Sequence, residues 1–367
     1  MSEKFWYKVA RVMIKAGTFP LPVTDTLIEL IKVLLTEEQG NFILKTYRRK
    51  PSLNINEIKK ISGMDGQQLD KMLESLMLDG IVVGHQSRST GIMVYRLMPL
   101  APAGIFEFTF MRGKSGEKEL KLVKLFDRLF DEFGEATQRN YESLIPQFKK
   151  MMSPISRVVP VEEEIEVPQE IVLPYDEVSK IVDKYEDISV SYCYCRHEKD
   201  LLGEPCQVTD ERKNCFMFGK SAIFAIKYGF GNPVSKEKAK AIIKKAADEG
   251  LVHKAFHIHQ DPNKDEEAFC NCCKCCCGIS QLYYKGCVPM STLANYLPKV
   301  NEDNCVGCGT CTEKCPMEAI TLEDDVANIN EDMCIGCGVC AHICPENAIK
   351  LEFHKREVFV PPPRLKN

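Results

Sequence analysis

The cysteines near the end of the chain are spaced for metal binding. The pattern C-x2-C-x2-C-x3-C-P occurs twice. Its first copy comprises Cys305, Cys308, Cys311, Cys315 and Pro316, and its second comprises Cys334, Cys337, Cys340, Cys344 and Pro345. Moving the second copy back by 29 positions (334 − 305) also superposes Gly336 and Gly338 on Gly307 and Gly309. The two halves are therefore tandem copies of one metal-binding unit.

This spacing fits iron–sulfur clusters. Three thiolates placed three residues apart on a tight loop can bind three corners of a cubane, and glycines relieve the backbone where it bends. In such runs the fourth cysteine ligates the other cluster. The predicted ligands are Cys305, Cys308, Cys311 and Cys344 for the first [4Fe–4S] cluster, and Cys315, Cys334, Cys337 and Cys340 for the second. The expected cluster loops contain Gly307, Gly309, Gly336 and Gly338.

These residues resemble the bacterial two-cluster ferredoxins, over roughly the last seventy residues. The resemblance implies a pair of β-hairpin-plus-helix units, with Val326–Ile329 as one short strand, and one-electron transfer to a partner protein. Zinc is disfavoured at these motifs because a structural zinc site closes with four ligands in pairs, which leaves a third, equally spaced cysteine without a role.

A second set of cysteines lies upstream. Cys193, Cys195, Cys206 and Cys215 follow the spacing C-x-C-x10-C-x8-C, and a dense tract comprises Cys270, Cys272, Cys273, Cys275, Cys276 and Cys277. Adjacent side chains cannot all point into one core, and exposed thiols oxidise, so some of these cysteines are expected to be metal ligands. Either a third iron–sulfur cluster or a structural zinc ion fits, and the two sets could hold separate centres or share one. The histidines His197, His253, His257 and His259 are further candidate ligands, although each fits an ordinary surface or core role.

The motif that runs from Cys193 to His197, together with the dense tract, resembles a group of ferredoxin-fused iron–sulfur proteins from anaerobes. The likeness covers about the last two hundred residues. It implies a place in anaerobic redox metabolism without naming a reaction.

Composition sets the broad class. The chain has 367 residues, of which 44% are hydrophobic, enough for two or three globular domains. No window of about eighteen residues lacks charge, so membrane insertion is not expected. The 19 cysteines favour a reducing, cytoplasmic location, and the net charge of −4 gives no global attraction to nucleic acid.

Residues 305–350 carry eight acidic residues against two lysines, a balance of −6 (2 − 8) that is expected to attract a basic redox partner or merely to keep the domain soluble.

The N-terminal third resembles a winged helix-turn-helix domain. The predicted elements are helices over Glu38–Tyr47, Ile55–Ile61 and Gln67–Leu78 and strands over Ile81–Val83 and Ile92–Leu97. The predicted recognition helix carries Asp65, Asp70, Glu74 and Asp79 against Lys71 alone, which would repel DNA phosphates, whereas Arg48, Arg49, Lys50, His85, Arg88 and Arg96 would attract them. Docking or homo-oligomerisation through this domain is therefore favoured over DNA binding.

Two further segments carry structural predictions. Phe106–Phe110 alternates like a strand, and Glu117–Phe133 has one apolar helical face. Residues 153–174 are rich in prolines and acidic residues, which favours an extended linker.

The expected fold class is α+β. It comprises a mainly helical, winged-helix-like domain (1–152), the linker (153–174), a helical, cysteine-rich middle domain (175–298), a ferredoxin-type domain with two [4Fe–4S] clusters (299–354) and an extended tail (355–367).

The predicted function is transfer of single electrons through the two clusters, and through a further metal centre in the middle domain, to or from a partner redox enzyme. No catalytic residue is assigned, because no nucleotide fingerprint, nucleophile elbow or flavin site is present. The protein is thus expected to be an electron carrier or a subunit of an oxidoreductase complex. One alternative is a redox-sensing DNA-binding regulator, and another is an oxidoreductase whose catalysis occurs at the middle metal site.

Overall fold

The computed structural model describes residues 2–17, 21–87, 89–151, 154, 156–165, 177–257 and 264–365. Its contacts divide the chain into two units. The N-terminal unit comprises Met1–Phe133, Tyr192–Pro205 and Phe224–Gly231, and the C-terminal unit comprises Gly134–Ser191, Cys206–Ile223 and Asn232–Asn367.

The chain forms both helices and strands. The helices in chain order are α1 (Glu3–Ile14), α2 (Asp25–Leu34), α3 (Glu37–Thr46), α4 (Ile55–Ser62), α5 (Gly66–Leu78), α6 (Ile105–Phe110), α7 (Glu117–Arg139), α8 (Tyr141–Met151), α9 (Val178–Asp183), α10 (Tyr194–Leu202), α11 (Gly219–Lys227), α12 (Lys236–Asp248), α13 (Gly278–Tyr284), α14 (Thr310–Lys314) and α15 (Val339–His342), with a short 3-10 helix over Glu162–Glu164. The strands are β1 (Ser52–Asn54), β2 (Val82–Gln86), β3 (Met93–Leu97), β4 (Ser156–Val159), β5 (Ile188–Tyr192), β6 (Lys213–Phe218), β7 (Asn232–Pro233), β8 (Val252–His257), β9 (Glu266–Cys272), β10 (Met290–Val300), β11 (Ile320–Glu323), β12 (Val326–Ile329) and β13 (Ile349–Val360). This mixture agrees with the expected α+β class.

In the N-terminal unit, α3 to α5 lie within one residue of their predicted bounds. Helix α4 starts at a capping box, in which the Asn54 side chain accepts the Glu57 amide and the Glu57 carboxylate accepts the Asn54 amide. Strands β2 and β3 form the predicted hairpin, and β1 adds a third, unpredicted strand in the order β1-β3-β2. The elements agree, while the winged-helix resemblance itself stays a prediction, and Arg88 lies outside the described residues.

The segment Phe106–Phe110 is a correction, because it lies in helix α6 rather than in a strand. The helix begins where the buried Glu107 carboxylate accepts the amides of Ala103 and Gly104, each at 2.7 Å. Phe106 packs against Phe126 and Phe130 of α7, whereas Phe108 packs against other aromatic rings, Phe224 and Phe230. The phenylalanines of this segment therefore alternate because the short helix is buried on two sides, and their alternation does not indicate a strand.

The C-terminal unit is built on an eight-stranded sheet with the order β13-β10-β4-β8-β9-β6-β5-β7. This corrects the expectation of a helical middle domain, because β5 to β9 and most of β10 fall within 175–298. Strand β8 shows why the sheet was missed: five of its six residues are buried, so the polar and apolar residues do not alternate.

The predicted linker and tail also differ from the structure. Ser156–Val159 forms β4 inside the sheet, parallel to β10 and antiparallel to β8. The 166–174 part of the predicted linker lies outside the described residues. Strand β13 runs to Val360, which pairs with Met290, so residues 355–360 of the predicted tail belong to the sheet.

The two faces of this sheet are covered differently. On one face Phe216, Phe269 and Ala255 pack against Ala239 and Ile243 of α12. On the other face the cluster of buried residues includes Val158, Val252, Met290, Ile335 and Val339, so the C-terminal cysteine loops pack here. Within the described ranges, no helix is long and apolar enough to cross a membrane.

Candidate metal centres

The two C-terminal motifs fold alike. The amide of Cys305 donates to the Asn301 carbonyl at 3.1 Å, and that of Cys334 donates to the Asn330 carbonyl at 3.0 Å. The Sγ atoms of Cys315 and Cys344 each accept an amide at 3.3 Å, from Ala319 and Ala348 respectively. The 29-residue repeat in the sequence is therefore a repeat of backbone geometry as well.

The glycines of the loops adopt a left-handed backbone conformation, as their proposed place at the bends requires. Gly307, Gly309, Gly336 and Gly338 have φ values of 65°, 77°, 66° and 75°. Residues with a Cβ rarely adopt such angles. The loops also pass close to other backbone, because a Cβ on Gly336 would lie 2.2 Å from the Tyr296 carbonyl oxygen.

The predicted ligands of the first cluster line one cavity. Its walls include Cys305, Cys308 and Cys311 from the first motif and Cys344 from the second. Four thiolates with this spacing are a donor set that fits a [4Fe–4S] cluster. Cys308 is exposed and Val306, in the same loop, is 62% exposed, so this cavity opens at the surface.

The predicted ligands of the second cluster are more deeply buried. Burial, together with the negative charges of Cys315 and Cys334, raises the pKa of Cys337 to about 12. A thiolate in this place needs a cationic partner, which the irons of a cluster supply. Burial also raises the pKa of Cys340, and Cys340 packs in the same buried cluster as Cys311 of the first set. The two sets are therefore adjacent.

The cysteines of the dense tract divide into two groups, and Cys206, which lies outside the tract, joins the first. In the first, here called the outer thiol group, Cys206 Sγ lies 3.7 Å from Cys273 Sγ and 3.7 Å from Cys275 Sγ, and Cys275 Sγ lies 3.5 Å from Cys276 Sγ. All four sulfurs lie within 4.8 Å of one another. Hydrogen bonds from the Cys273 and Cys275 thiols lower the pKa of Cys206.

The remaining cysteines of the tract form an inner thiol group of Cys270, Cys272 and Cys277. Cys272 is in hydrogen-bonding contact with Cys270 and Cys277. Phe216 of β6 pairs with Phe269 of β9 in antiparallel register. The residue before Phe216, Cys215, therefore lies beside the residue after Phe269, Cys270. This is the sheet face that packs on the C-terminal cysteine loops, and both Cys272 and Cys277 belong to that packing.

The predicted set Cys193, Cys195, Cys206 and Cys215 is therefore regrouped. Cys206 joins three cysteines of the tract, while Cys215 lies within β6 beside Cys270. Cys193 and Cys195 are buried at the start of α10 and belong to the N-terminal unit. The regrouping arises because Cys206 is on the loop that follows α10, whereas Cys215 is held in a strand.

In three candidate histidines, His197, His253 and His257, the Nδ1 atom lies within hydrogen-bonding distance of an oxygen. The Nδ1 atoms of His197 and His257 lie 2.9 and 2.7 Å from the carbonyl oxygens of Phe110 and Lys264. His253 Nδ1 lies 2.7 Å from Asn271 Oδ1, and burial lowers the pKa of His253 to about 4. His259 lies outside the described residues.

Two residues that the sequence did not single out also bear on the site. His342 of α15 lies between carboxylates, 3.0 Å from Glu164 and 3.1 Å from Asp248. Lys254 on β8 is 2% exposed, and its Nζ lies 3.7 Å from Met290 Sδ. Its positive charge acts to lower the pKa of both Cys272 and Cys337, although the net pKa of each is raised. The sequence signal for Lys254 is a lysine within a short, mostly apolar segment.

Removing this buried charge is expected to change a redox potential. Because reduction adds a negative charge, Lys254→Met should lower the potential of the cluster at Cys337 by about 50 mV, close to a tenfold change in a one-electron equilibrium. A redox titration followed by magnetic resonance measures it, with the exposed Lys355→Met on β13 as control. An unchanged or higher potential in Lys254→Met would contradict the expectation.

Comparisons with known proteins agree with this geometry. Residues 298–351 match the family model of the 4Fe-4S dicluster domain. Over 27 residues the chain is 59% identical to a "Probable ferredoxin" from Methanosarcina thermophila, a match that covers 7% of this chain and 47% of that protein. The chain thus spans about half the length of this curated relative. No solved structure matches the chain. The C-terminal region is therefore a ferredoxin-like domain with two [4Fe–4S] clusters, which serve iron–sulfur electron transfer.

Proposed function

We propose that this protein is a cytoplasmic electron carrier, or the electron-transfer subunit of an oxidoreductase complex, that exchanges single electrons with a partner redox enzyme. The observation that carries the proposal is the adjacency of the two cysteine sets, in which Cys311 of the first set and Cys340 of the second pack in the same buried cluster. Two clusters bound there would offer a short path for an electron.

The first cluster is the proposed point of exchange with the partner. Its cavity has an exposed edge at Val306, Cys308 and Leu322, and Glu346 contributes to the lining. The tip of the β11–β12 hairpin adds exposed charges at Asp324 and Asp325, and the Asp325 backbone lies against Gly307. An apolar edge surrounded by carboxylates is suited to a partner with a basic rim.

The middle region is proposed to hold at least one further metal centre. Two groups of thiols support it, and Cys272 and Cys277 of the inner group pack in the same buried cluster as Cys337 of the second set. The N-terminal unit is proposed to serve protein docking or homo-oligomerisation. In α5, Asp70 and Glu74 are exposed, and so is the N-cap Asp65, so this face would repel a DNA backbone.

Electron transfer to a basic acceptor tests the function. The reduced holoprotein, prepared without oxygen, is mixed with oxidised cytochrome c, and haem reduction is followed by stopped flow. We expect a fast reaction that slows about threefold or more when salt is raised or when Asp324→Asn and Asp325→Asn are combined, because both weaken charge steering.

The control combines Glu37→Gln and Glu38→Gln, which remove the same charge from the exposed start of α3. Its rate should stay at the wild-type value. Failure of the reduced protein to pass any electron to cytochrome c would refute the carrier function, and equal rates for both double variants would refute the docking surface.

A further inference from the structure

We propose that the outer thiol group, Cys206, Cys273, Cys275 and Cys276, binds one zinc ion and does not hold a third cubane. The inference deepens the proposal of a further metal centre in the middle region and rests on it. It names the ligands, the number of metal ions and the metal. It also leaves the inner thiol group out of this site.

The sulfur spacing indicates a single ion. Four thiolates placed 2.3 Å from one metal in a tetrahedron have edges of about 3.8 Å. The sulfur–sulfur separations of 3.7, 3.7 and 3.5 Å in the structure are close to that edge. In a cubane each thiolate binds its own iron and points away from the centre, so its sulfurs stand farther apart than sulfurs in mutual contact.

The backbone around the group is arranged to hold thiolates. The amide of Val208 donates to Cys206 Sγ, two residues earlier, and the amide of Gln207 donates to Cys275 Sγ. Gln281 Nε2 donates to the carbonyls of Lys274 and Cys275 at 3.3 and 3.1 Å, which fixes the turn that carries the ligands. Such outer contacts orient ligands and stabilise their negative charge.

The choice of zinc follows from the closed donor set. Four thiolates fill a tetrahedral site and leave no open position, as in structural zinc sites. Two of the ligands, Cys275 and Cys276, are neighbours in the chain, and their sulfurs give the shortest of the three separations, 3.5 Å. Zinc tolerates this because its filled d shell imposes no geometry of its own.

The ion would have a structural role beside the electron path. Cys206 lies on an irregular loop between α10 and β6, and Cys273 is 67 residues away, so one ion would close a long loop. The same turn reaches the segment that carries Cys315, a predicted ligand of the second cluster, because Lys274 Nζ lies 2.8 Å from Glu318 Oε1, three residues beyond Cys315. Zinc would thus hold the turn that contacts that segment.

Metal analysis of the full-length protein, expressed without oxygen with both metals supplied, tests the inference. We expect about eight irons and one zinc per chain. Cys206→Ser and Cys275→Ser should each lose the zinc and keep the irons and the magnetic resonance of the reduced clusters. The matched control is Cys287→Ser, a buried cysteine outside both thiol groups, which should keep both metals.

The wild-type protein gives a second readout that needs no variant. Replacing the zinc by cobalt(II) should produce thiolate charge-transfer bands and the visible bands of tetrahedral cobalt. About twelve irons without zinc, a ninth iron in place of zinc, or full zinc in Cys206→Ser would each overturn the inference. If the wild-type protein contained zinc but lacked the magnetic resonance of the reduced clusters, the carrier function would be refuted and the zinc site would remain supported.

Discussion

Replacing Cys344 with alanine is expected to remove the first cluster, although Cys344 belongs to the second motif. The reason is the cavity at the first motif, where Cys344 stands with Cys305, Cys308 and Cys311. Iron should fall from about eight to about four per chain, because one cubane is lost and the other keeps all of its ligands. Iron analysis and quantitative magnetic resonance of the reduced protein measure the change.

Double variants separate the crossed assignment from the simple one. If Cys305 and Cys344 hold the same cluster, the combination of Cys305→Ala and Cys344→Ala should cost no more iron than either change alone. The combination of Cys340→Ala and Cys344→Ala should leave the chain almost without iron, because each change removes a different cluster. The reverse result, with iron retained in the Cys340 and Cys344 pair, would mean that each motif holds its own cluster.

The cysteine loops could be predicted from the sequence because their geometry is local. The ligands of each loop lie three residues apart, and the glycine at the bend is demanded by a positive φ that the structure shows at Gly336 and Gly338. The same holds for α4, whose capping box needs only Asn54 and Glu57. All the residues of each such pattern lie close together in the sequence.

The middle sheet could not be predicted in this way, since its signals are not local. Strand β4 lies between prolines, Pro154 and Pro160, that made the segment look like a linker; in the structure they flank the strand without interrupting it. Likewise, no spacing rule connects Cys206 to Cys273 across 67 residues, because the sheet brings them together. The division of the tract into outer and inner groups follows from that same fold.

Substitution of Gly336 by alanine is expected to disrupt the second cluster. The new Cβ would stand 2.2 Å from the Tyr296 carbonyl oxygen, which is backbone of β10 and cannot swing away, and φ is already 66°. The left-handed angle alone costs about 1 kcal/mol, whereas a clash with fixed backbone forces the loop to move. The displaced loop carries Cys334 and Cys337, so we expect about half of the iron to be lost.

Gly203 provides the matched comparison because it shares the left-handed backbone conformation of Gly336 but has no atom close to the position of an added Cβ. Its φ is 80°, yet a Cβ there would meet no atom within 4 Å. Gly203→Ala therefore shares the backbone strain and lacks the clash, and it should keep all of its iron with a small loss of thermal stability. If Gly336→Ala also kept a full iron content and the resonance of both reduced clusters, the loop at Tyr296 would not be as confined as the structure requires, and the packing of the second cluster on β10 would need another explanation.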